Sequence, residues 1–497
     1  MHSQSSNKAG APSFAFFPAK GGKPQSSCEP AASVCRTAGA RRRPQVLIKF
    51  LMAKTTSMRL VFLLLAATFS IHISAQTEAL TVYRGATLID GLDNVPQPNM
   101  SILVRGERID TIAPTAQLVP PANAKVVDVT GLYVLPGLIN THIHIATNST
   151  RAEALALMRR DLFSGITAER DMAGDTRQLA ELARVSLLNE VPGPDIVYAA
   201  LMAGPSFFKD PRTHAAARGA VAGEVPWMKS VTPQTDLHLA IAEAKGTGAT
   251  AIKIYADLPA DLVAAITKEA HSQGMLVWAH ATVFPATATE VVDAGVDSVS
   301  HATMLAIARP TNTYAESHVQ QTQLYTDGFG PQFSHLLDEM KAHHTILDAT
   351  LLVFKESDEA HAKHPETPFV KTFPIGEQAT RAAYQAGIPI STGTDGDDED
   401  NHEWSPLREE LILLQDGAGM KPADVIRSAT SIGARTLGQE KEMGVIEQGK
   451  LANLVFVSKN PLDGVQAFSS VVLTVKRGHE YWRKDFQPGE TQNQPRN

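Results

Sequence analysis

The chain has 497 residues, 43% of them hydrophobic and 20% charged, with a formal net charge of -7. This length suits one large domain with a small one appended, and the composition is that of an ordinary globular protein. The mild acidic balance argues against an electrostatic grip on nucleic acid, which needs a basic face.

In chain order, residues 1–57 are rich in Ser, Gly, Pro and Arg, as in "GARRRPQ". They read as a disordered extension or as a start codon assigned too early. From Met58, "MRLVFLLLAATFSIHISA" has the layout of a secretory signal peptide over residues 58–75. Arg59 and Lys54 supply positive charge, Leu60 to Ile71 an apolar run, and Ala75 a small residue for cleavage. The run is shorter than the ~20 residues a membrane span needs. An exported chain, periplasmic or secreted, with no stable membrane anchor is therefore expected. Cys28 and Cys35 are the only cysteines, and both precede the cut. The mature chain would hold no disulfide and no thiolate, so any metal must be held by His, Asp, Glu or Lys.

Residues 76–135 read as short strands. "ALTVYRGATLID", "NMSILVRGERIDTIAP" and "AKVVDVTGLYVLPG" alternate and are punctuated by Gly and Asp turns. Residues 436–490 read the same way in "KLANLVFVSKNPL" and "VVLTVKRGHEYWR". The two chain ends are expected to build one small β-sandwich domain around a central insert. Within that insert, residues 136–435, apolar strands precede helical segments repeatedly: "GITAERDM" leads to "TRQLAELARVSLLNE", and "TAIKIYAD" to "LPADLVAAITKEAHSQG". Repeated units of this length predict an α/β fold, a (β/α)8 TIM barrel. An open doubly wound sheet is the second choice, but no GxGxxG follows the first strand. Residues 306–335, "AIARPTNTYAESHVQQTQLYTDGFGPQFSH", break the rhythm and read as a long loop or lid over the barrel mouth.

In such a barrel the chemistry sits at the C-terminal ends of the strands. Polar residues fall there: His142 and His144 in "INTHIHIAT", His280 in "MLVWAHAT", His301 in "VDSVSHAT" and Asp395 in "IPISTGTD". Lys253 lies inside the apolar run of "TAIKIYAD". Alternate side chains of a strand share a face. His142 and His144 thus both point inward and can chelate one ion, with Ile143 turned outward. An ammonium cannot ligate a metal, but a buried lysine shifts its pKa readily. Its neutral amine can take up carbon dioxide as a carbamate, an anion able to bridge two ions. Two bridged cations would acidify a shared water and polarise a carbonyl. Asp395 would accept the water's proton and pass it to the leaving group.

Each residue alone has a plainer reading. His142 and His144 suit two core or surface histidines, Lys253 a snorkelling edge residue, and His280 and His301 satisfied core histidines. Asp395 suits a cap opening the acidic run "DGDDED". Their order and their common placement at strand ends favour the metal reading.

The ordered set resembles the amidohydrolase superfamily, and more narrowly its imidazolonepropionase-related and Xaa-Pro dipeptidase-like metal-dependent hydrolases. The stretches that carry the likeness include "GLYVLPGLINTHIH", "GITAERDMAG", "AIKIYAD", "VWAHA", "STGTD", "SATSIGARTLG" and "GVIEQGKLANLVFV", spread over residues 79–485. The resemblance implies His142, His144 and Asp395 on the more buried ion and His280 and His301 on the other. A carboxylated Lys253 would bridge them, with zinc the usual metal. Tyr255 would point into the same interior, as a substrate or oxyanion contact or as a packed barrel tyrosine. Asn140 stands where relatives often carry an acidic residue, and "AHATVFPAT" and "SHAT" depart from the usual surroundings of the fifth and sixth strands.

The implied activity is hydrolysis of an amide bond in a dipeptide or an N-acyl amino acid, aromatic amide compounds included. Lactonase or cyclic amidase action on the same site is the second reading, and a non-catalytic metal-binding homologue the third. The partner is a small molecule or dipeptide, and relatives are often homo-oligomers. Arg170, His214, Arg218 and Arg309 are candidates for a substrate carboxylate, although Arg170 in "ERDMAG" reads better as a structural ion-pair residue.

Overall fold

The structure, a computed structural model, describes residues 78–147, 149–363, 369–396 and 402–488. The N-terminal extension, the signal-peptide pattern, both cysteines and residues 397–400 of the acidic run lie outside the described residues.

The described chain begins with five strands: β1 (Leu80–Leu88), β2 (Gln97–Arg105), β3 (Arg108–Pro114), β4 (Lys125–Asp128) and β5 (Tyr133–Pro136). β1 to β3 form an antiparallel meander, and β4 and β5 lie parallel to β1. Tyr83, Ile102, Val104, Ile109 and Val134 turn into one apolar core, and their neighbours Val82, Ser101, Leu103 and Leu135 are buried as well.

The chain then winds a barrel. Its strands are β6 (Leu138–Ile143), β7 (Ile166–Asp171), β8 (Asp195–Ala203), an excursion of two short strands β9 (Glu224–Val225) and β10 (Met228–Ser230), and β11 (Ala251–Ile254), β12 (Leu276–His280), β13 (Ser298–Ser300), β14 (Ile346–Asp348) and β15 (Ile390–Ser391). Leaving out the excursion, neighbours pair in parallel all the way from β6 to β15. The seam closes through backbone bonds: Thr141 N donates to Thr392 O at 2.9 Å, and Asp395 N donates to His142 O at 3.0 Å. This is the expected (β/α)8 barrel.

The crossover helices start where side chains satisfy the first free N–H groups. Thr150 and Glu153 form a reciprocal capping box on helix Arg151–Phe163. Asp175 caps Thr176–Leu187, which turns Leu179, Leu182 and Val185 onto the barrel. Each such buried side chain contributes ~1.5–3 kcal/mol.

Residues 306–335 are not the long loop expected. They carry helices Tyr314–Val319 and Gln321–Leu324 and the start of Pro331–Ala342. These pieces are too short and polar to show an apolar period. A side-chain cap, Thr313 accepting from Glu316 N, and the bond from Tyr314 N to Asp257 Oδ1 at 2.6 Å hold the first one.

The chain returns through β16 (Leu454–Val457), β17 (Val471–Lys476) and β18 (His479–Trp482), giving the order β18-β17-β16-β5-β1-β2-β3. Both chain ends thus share the small domain. Lys476 ties it to the barrel: its buried Nζ donates to Ser186 O at 2.6 Å, Ser186 Oγ at 2.9 Å and Gly193 O at 3.0 Å. Among the described residues no helix is long and apolar enough to cross a membrane.

Candidate metal centre

His142 lies in β6 and His144 just past its end, so alternation aims both imidazoles at the barrel mouth. The closing bond from Asp395 N to His142 O carries Asp395 to the same place. Asp395 Oδ1 stands 3.2 Å from His144 Nε2 and 3.5 Å from His142 Nε2, and Oδ2 stands 3.7 Å from His301 Nδ1. The approach leaves no space for a side chain at Gly393: a Cβ there would meet Asp348 Oδ1 at 2.4 Å and the His142 Cβ at 2.5 Å. His301, Thr350 and Asp395 all hold positive φ angles, 75°, 50° and 45°. For side-chain-bearing residues this is a strained backbone, kept where the surroundings impose it.

His280 ends β12 and His301 follows β13, and their rings lie 4.8 Å apart. Lys253 in β11 is fully buried and donates to Ser300 Oγ at 3.2 Å. All seven residues singled out in the sequence therefore come to one end of the barrel, for Tyr255 packs on His280 with ring centroids 4.0 Å apart. Among the described residues the buried donor group is His142, His301 and Asp395, whose ligand atoms lie within 4.8 Å of one another. The division implied by resemblance, with His301 on a separate ion, is not visible in that grouping.

Burial lowers the basicity of His142, and that of His280 and His301 much further. Burial works to raise the Asp395 carboxyl, but the imidazoles of His142, His144 and His301 hold it well below the usual range. Burial, with Arg170 nearby, brings the Lys253 amine down to about 7. The site thus offers imidazoles of lowered basicity, a carboxylate held below its usual range and an amine whose proton is weakly held. This donor set fits a divalent metal. Both ring nitrogens of His280 are buried without a hydrogen-bond partner among the described residues. Leaving a buried nitrogen so costs ~1–3 kcal/mol, which a metal bond would offset.

A layer beneath the ligands went unnoticed in the sequence. Asp348, at the end of β14, accepts from His142 Nδ1 at 2.7 Å, Arg170 Nη2 at 2.9 Å, Ser300 Oγ at 3.0 Å and Thr141 Oγ1 at 2.9 Å. A carboxylate there puts the His142 proton on Nδ1 and leaves Nε2, 3.5 Å from Asp395 Oδ1, as a candidate ligand atom. Thr350 Oγ1 lies 2.9 Å from His301 Nδ1. Glu410 accepts from Leu351 N at 3.0 Å and Leu352 N at 2.7 Å, fixing the start of the helix that follows Thr350. A carboxylate closing the apolar strand "TILD" was the one signal in the sequence for this layer.

The candidates for a substrate carboxylate separate. Arg170 is buried inside the barrel, donating to Thr141 O, to Ser298 Oγ at 2.9 Å and to Asp348. It is structural, the reading preferred in the sequence. Arg218 donates to Ser149 O, Arg309 lies exposed 3.7 Å from Asp327, and His214 is exposed. Arg212, not singled out, is the guanidinium whose charge acts on the site's tyrosines. It begins helix Pro211–Ala216 against Asp210, its Nε 3.0 Å from each carboxylate oxygen. Burial pushes the Tyr255 and Tyr314 phenols upward, and Arg212 pulls both partway back.

The sequence pattern of the amidohydrolase family matches residues 133–480. No curated protein sequence matches the chain. Solved structures with the same fold include a Xaa-Pro dipeptidase with methionine bound in its active site. It is 22% identical, with 81% of this chain and 100% of that one covered, at TM-score 0.64. An A. niger ochratoxinase is 18% identical, covering 84% and 99%, at TM-score 0.64. A molinate hydrolase is 17% identical, covering 85% and 98%, at TM-score 0.63. At these identities the likeness establishes the fold.

Proposed function

The chain belongs to the amidohydrolase family, and from that premise we propose that it is a binuclear metal-dependent amidohydrolase acting on the amide bond of a dipeptide or an N-acyl amino acid. The observation that carries the reading is His280. It is a buried imidazole with both nitrogens unpartnered among the described residues, set beside His301 at the mouth where Lys253 and Asp395 converge. His142, His144, Lys253, His280, His301 and Asp395 would hold two zinc ions, with Lys253 as its carbamate. When bound, such ions supply Lewis acidity, acidifying water and polarising a carbonyl.

The chain's own residues do the rest. Asp395, kept anionic by three imidazoles, takes a proton from the attacking water. The water oxygen joins the acyl carbon, the carbon–nitrogen bond breaks, and Asp395 returns the proton to the leaving nitrogen. Asp348 holds His142 in the tautomer that turns Nε2 to the ions. Tyr255, packed on His280, is within the same pocket and would steady the substrate or its oxyanion. The side chains that cover the mouth, Phe207, Phe284 and Tyr314, exclude bulk water from it. We also propose export, on the signal-peptide pattern of residues 58–75, and a mature chain of a small β domain (76–135 with 436–490) and a barrel (136–435).

The test uses residues 76–497 purified with zinc and bicarbonate. Amine release is followed from Xaa-Pro dipeptides, N-acyl amino acids and aryl amides, each with a chelator control. Chelator-sensitive release supports the reading. Two bound metals with no release from these amides, but ring opening of a lactone or cyclic amide followed by acid production, would move the activity to the second reading. Two bound metals and no turnover of any class would leave a non-catalytic homologue.

A further inference from the structure

The candidate ligands are shut away from water: His142, His280, His301 and Asp395 are between 1% and 6% exposed, and Lys253 is fully buried. Tyr314, itself buried, covers His280, its ring 6.1 Å from the imidazole and 5.8 Å from Phe284. It stands in a segment whose two ends meet. Ala308 N donates to Leu324 O at 2.9 Å, and Gly328 lies so close to Ala306 that a Cβ on it would overlap the Ala306 oxygen. A loop pinched at its neck in this way is a unit of its own on the surface. It is not close-packed within: a cleft of about 400 Å3 runs between Arg309, Asn312, Glu316, Gln320, Gln323 and Thr326. Val319, at the end of its first helix, stands exposed. Loose packing and open polar surface mark a segment that opens at low free energy. The rim below is fixed. Asp257, past the end of β11, has a φ of 60°, and its N donates to Val283 O at 2.7 Å. Gly204 N donates to Ala256 O at 2.9 Å, and a Cβ on Gly204 would overlap the Asp257 oxygen. From between these two loops Asp257 Oδ1 accepts from Tyr314 N at 2.6 Å. That bond joins a carboxylate to the first free N–H of the helix Tyr314–Val319. Further along, Val370 N donates to Gln321 Oε1 at 3.3 Å, a longer and neutral tie.

We propose that residues 306–328 are a hinged lid and that the bond between Asp257 and Tyr314 is its latch. Breaking the bond lets Tyr314 swing off His280 and opens the barrel mouth; remaking it closes the mouth over whatever has entered. The hinge is the neck where Ala306 meets Gly328, and the fixed half of the latch is the turn at Asp257. Closure of this kind shields a reaction from water and can set the rate at which product leaves. The device belongs to the fold and holds whichever bond the site cleaves.

The test uses Asp257→Gly and Asp257→Asn in the protein of residues 76–497. Glycine takes a positive φ without strain, so it removes the carboxylate alone; asparagine tolerates the same turn and keeps an acceptor. Hydrogen exchange read by mass spectrometry is expected to quicken about 10- to 100-fold at amides 314–326 in Asp257→Gly, the scale of one hydrogen bond to a charged group. Asp257→Asn should fall between, and the barrel helices should not change. Unaltered exchange in the lid would overturn the inference. So would a rise spread evenly over the barrel, the signature of a general loss of stability. A second variant pins the lid shut: Gln321→Cys with Val370→Cys, in a chain with no cysteine after Cys35, joined by a short bismaleimide. Against the same variant left unjoined, the crosslink should slow removal of bound zinc by a chelator, and amide turnover, by at least about 10-fold. Equal rates would overturn the lid while leaving the hydrolase reading intact. A chain that holds no zinc and cleaves no amide would remove the hydrolase reading, and the exchange measurement would still decide the lid.

Discussion

Replacing Asp348 by Asn tests the layer beneath the metal ligands. The side chain is fully buried and receives four hydrogen bonds, two of them from His142 and Arg170. Asn preserves the volume but removes the charge, and sets an NH2 group where an oxygen met donors. Arg170, itself fully buried, would lose its counter-charge. Breaking a buried ion pair from one side costs about 3–5 kcal/mol. The pH dependence gives a second handle. Burial raises the Asp348 carboxyl, but His142 and Arg170 bring it down from 3.8 to about 2. A carboxyl depressed in the folded state contributes stability that is complete above its unfolded value and is lost as pH falls through the folded one. Here that window runs from 3.8 down to about 2, and at 1.36 kcal/mol per pH unit it amounts to roughly 2 kcal/mol.

Urea unfolding of the metal-free protein at pH 7 and through that acid window measures both numbers. The Asn variant should be less stable at pH 7 and should lose less than wild type between pH 4 and 2. Metal affinity should also fall, by about 10- to 100-fold, because His142 loses the partner that fixes its tautomer. A variant with unchanged unfolding midpoint and unchanged zinc affinity would refute the role given to Asp348.

Three further outcomes are expected. Lys253→Ala should lower turnover by at least ~100-fold, and added formate or acetate should restore part of it by standing in for the carbamate; rescue by ethylamine instead would mean that the lysine acts as a cation. Glu410→Gln places an NH2 against Leu351 N or Leu352 N, which now share the carboxylate, and should cost ~2–3 kcal/mol in urea unfolding; an unshifted midpoint counts against that bond pair. Lys476→Met removes the bonds to Ser186 and Gly193 that join the small domain to the barrel. Asp195 keeps Arg477, 2.9 Å away, so the loss should stay at ~2–3 kcal/mol; separate melting of two units in calorimetry would refute that limit and show that Lys476 carries most of the coupling between them.

The clustering of the candidate ligands was legible in the sequence because each stands on, or within a few residues of, a recognisable apolar strand, and a barrel brings all strand ends to one rim. The HxH pair needs only alternation, and it is local. Asp348 serves His142, 206 residues away in sequence, and nothing in "ILDAT" marks a partner at that distance. Arg212 was passed over for the same reason: Tyr255 and Tyr314, on which its charge acts, come from two other connections. Arg170 was weighed correctly because a charge inside the short apolar strand of "GITAERDM" has to find a buried partner. The lid segment was misread because short capped helices draw their stability from Asp257 and the aromatic cover, which the local pattern does not contain.

The seam between the first and last barrel strands has a further consequence. A backbone bond joins Asp395 to His142 across that seam, so candidate ligands 253 positions apart in sequence meet at the step that shuts the cylinder. A growing chain that has made every imidazole still lacks the carboxylate that the imidazoles surround. On the proposed metal reading, tight zinc uptake would belong to the finished barrel alone, and the ion would act as a seal on complete winding. Fragments ending before β15, or circular permutants opened at the seam, should take up zinc weakly, which turns metal content into a gauge of whether the cylinder has closed.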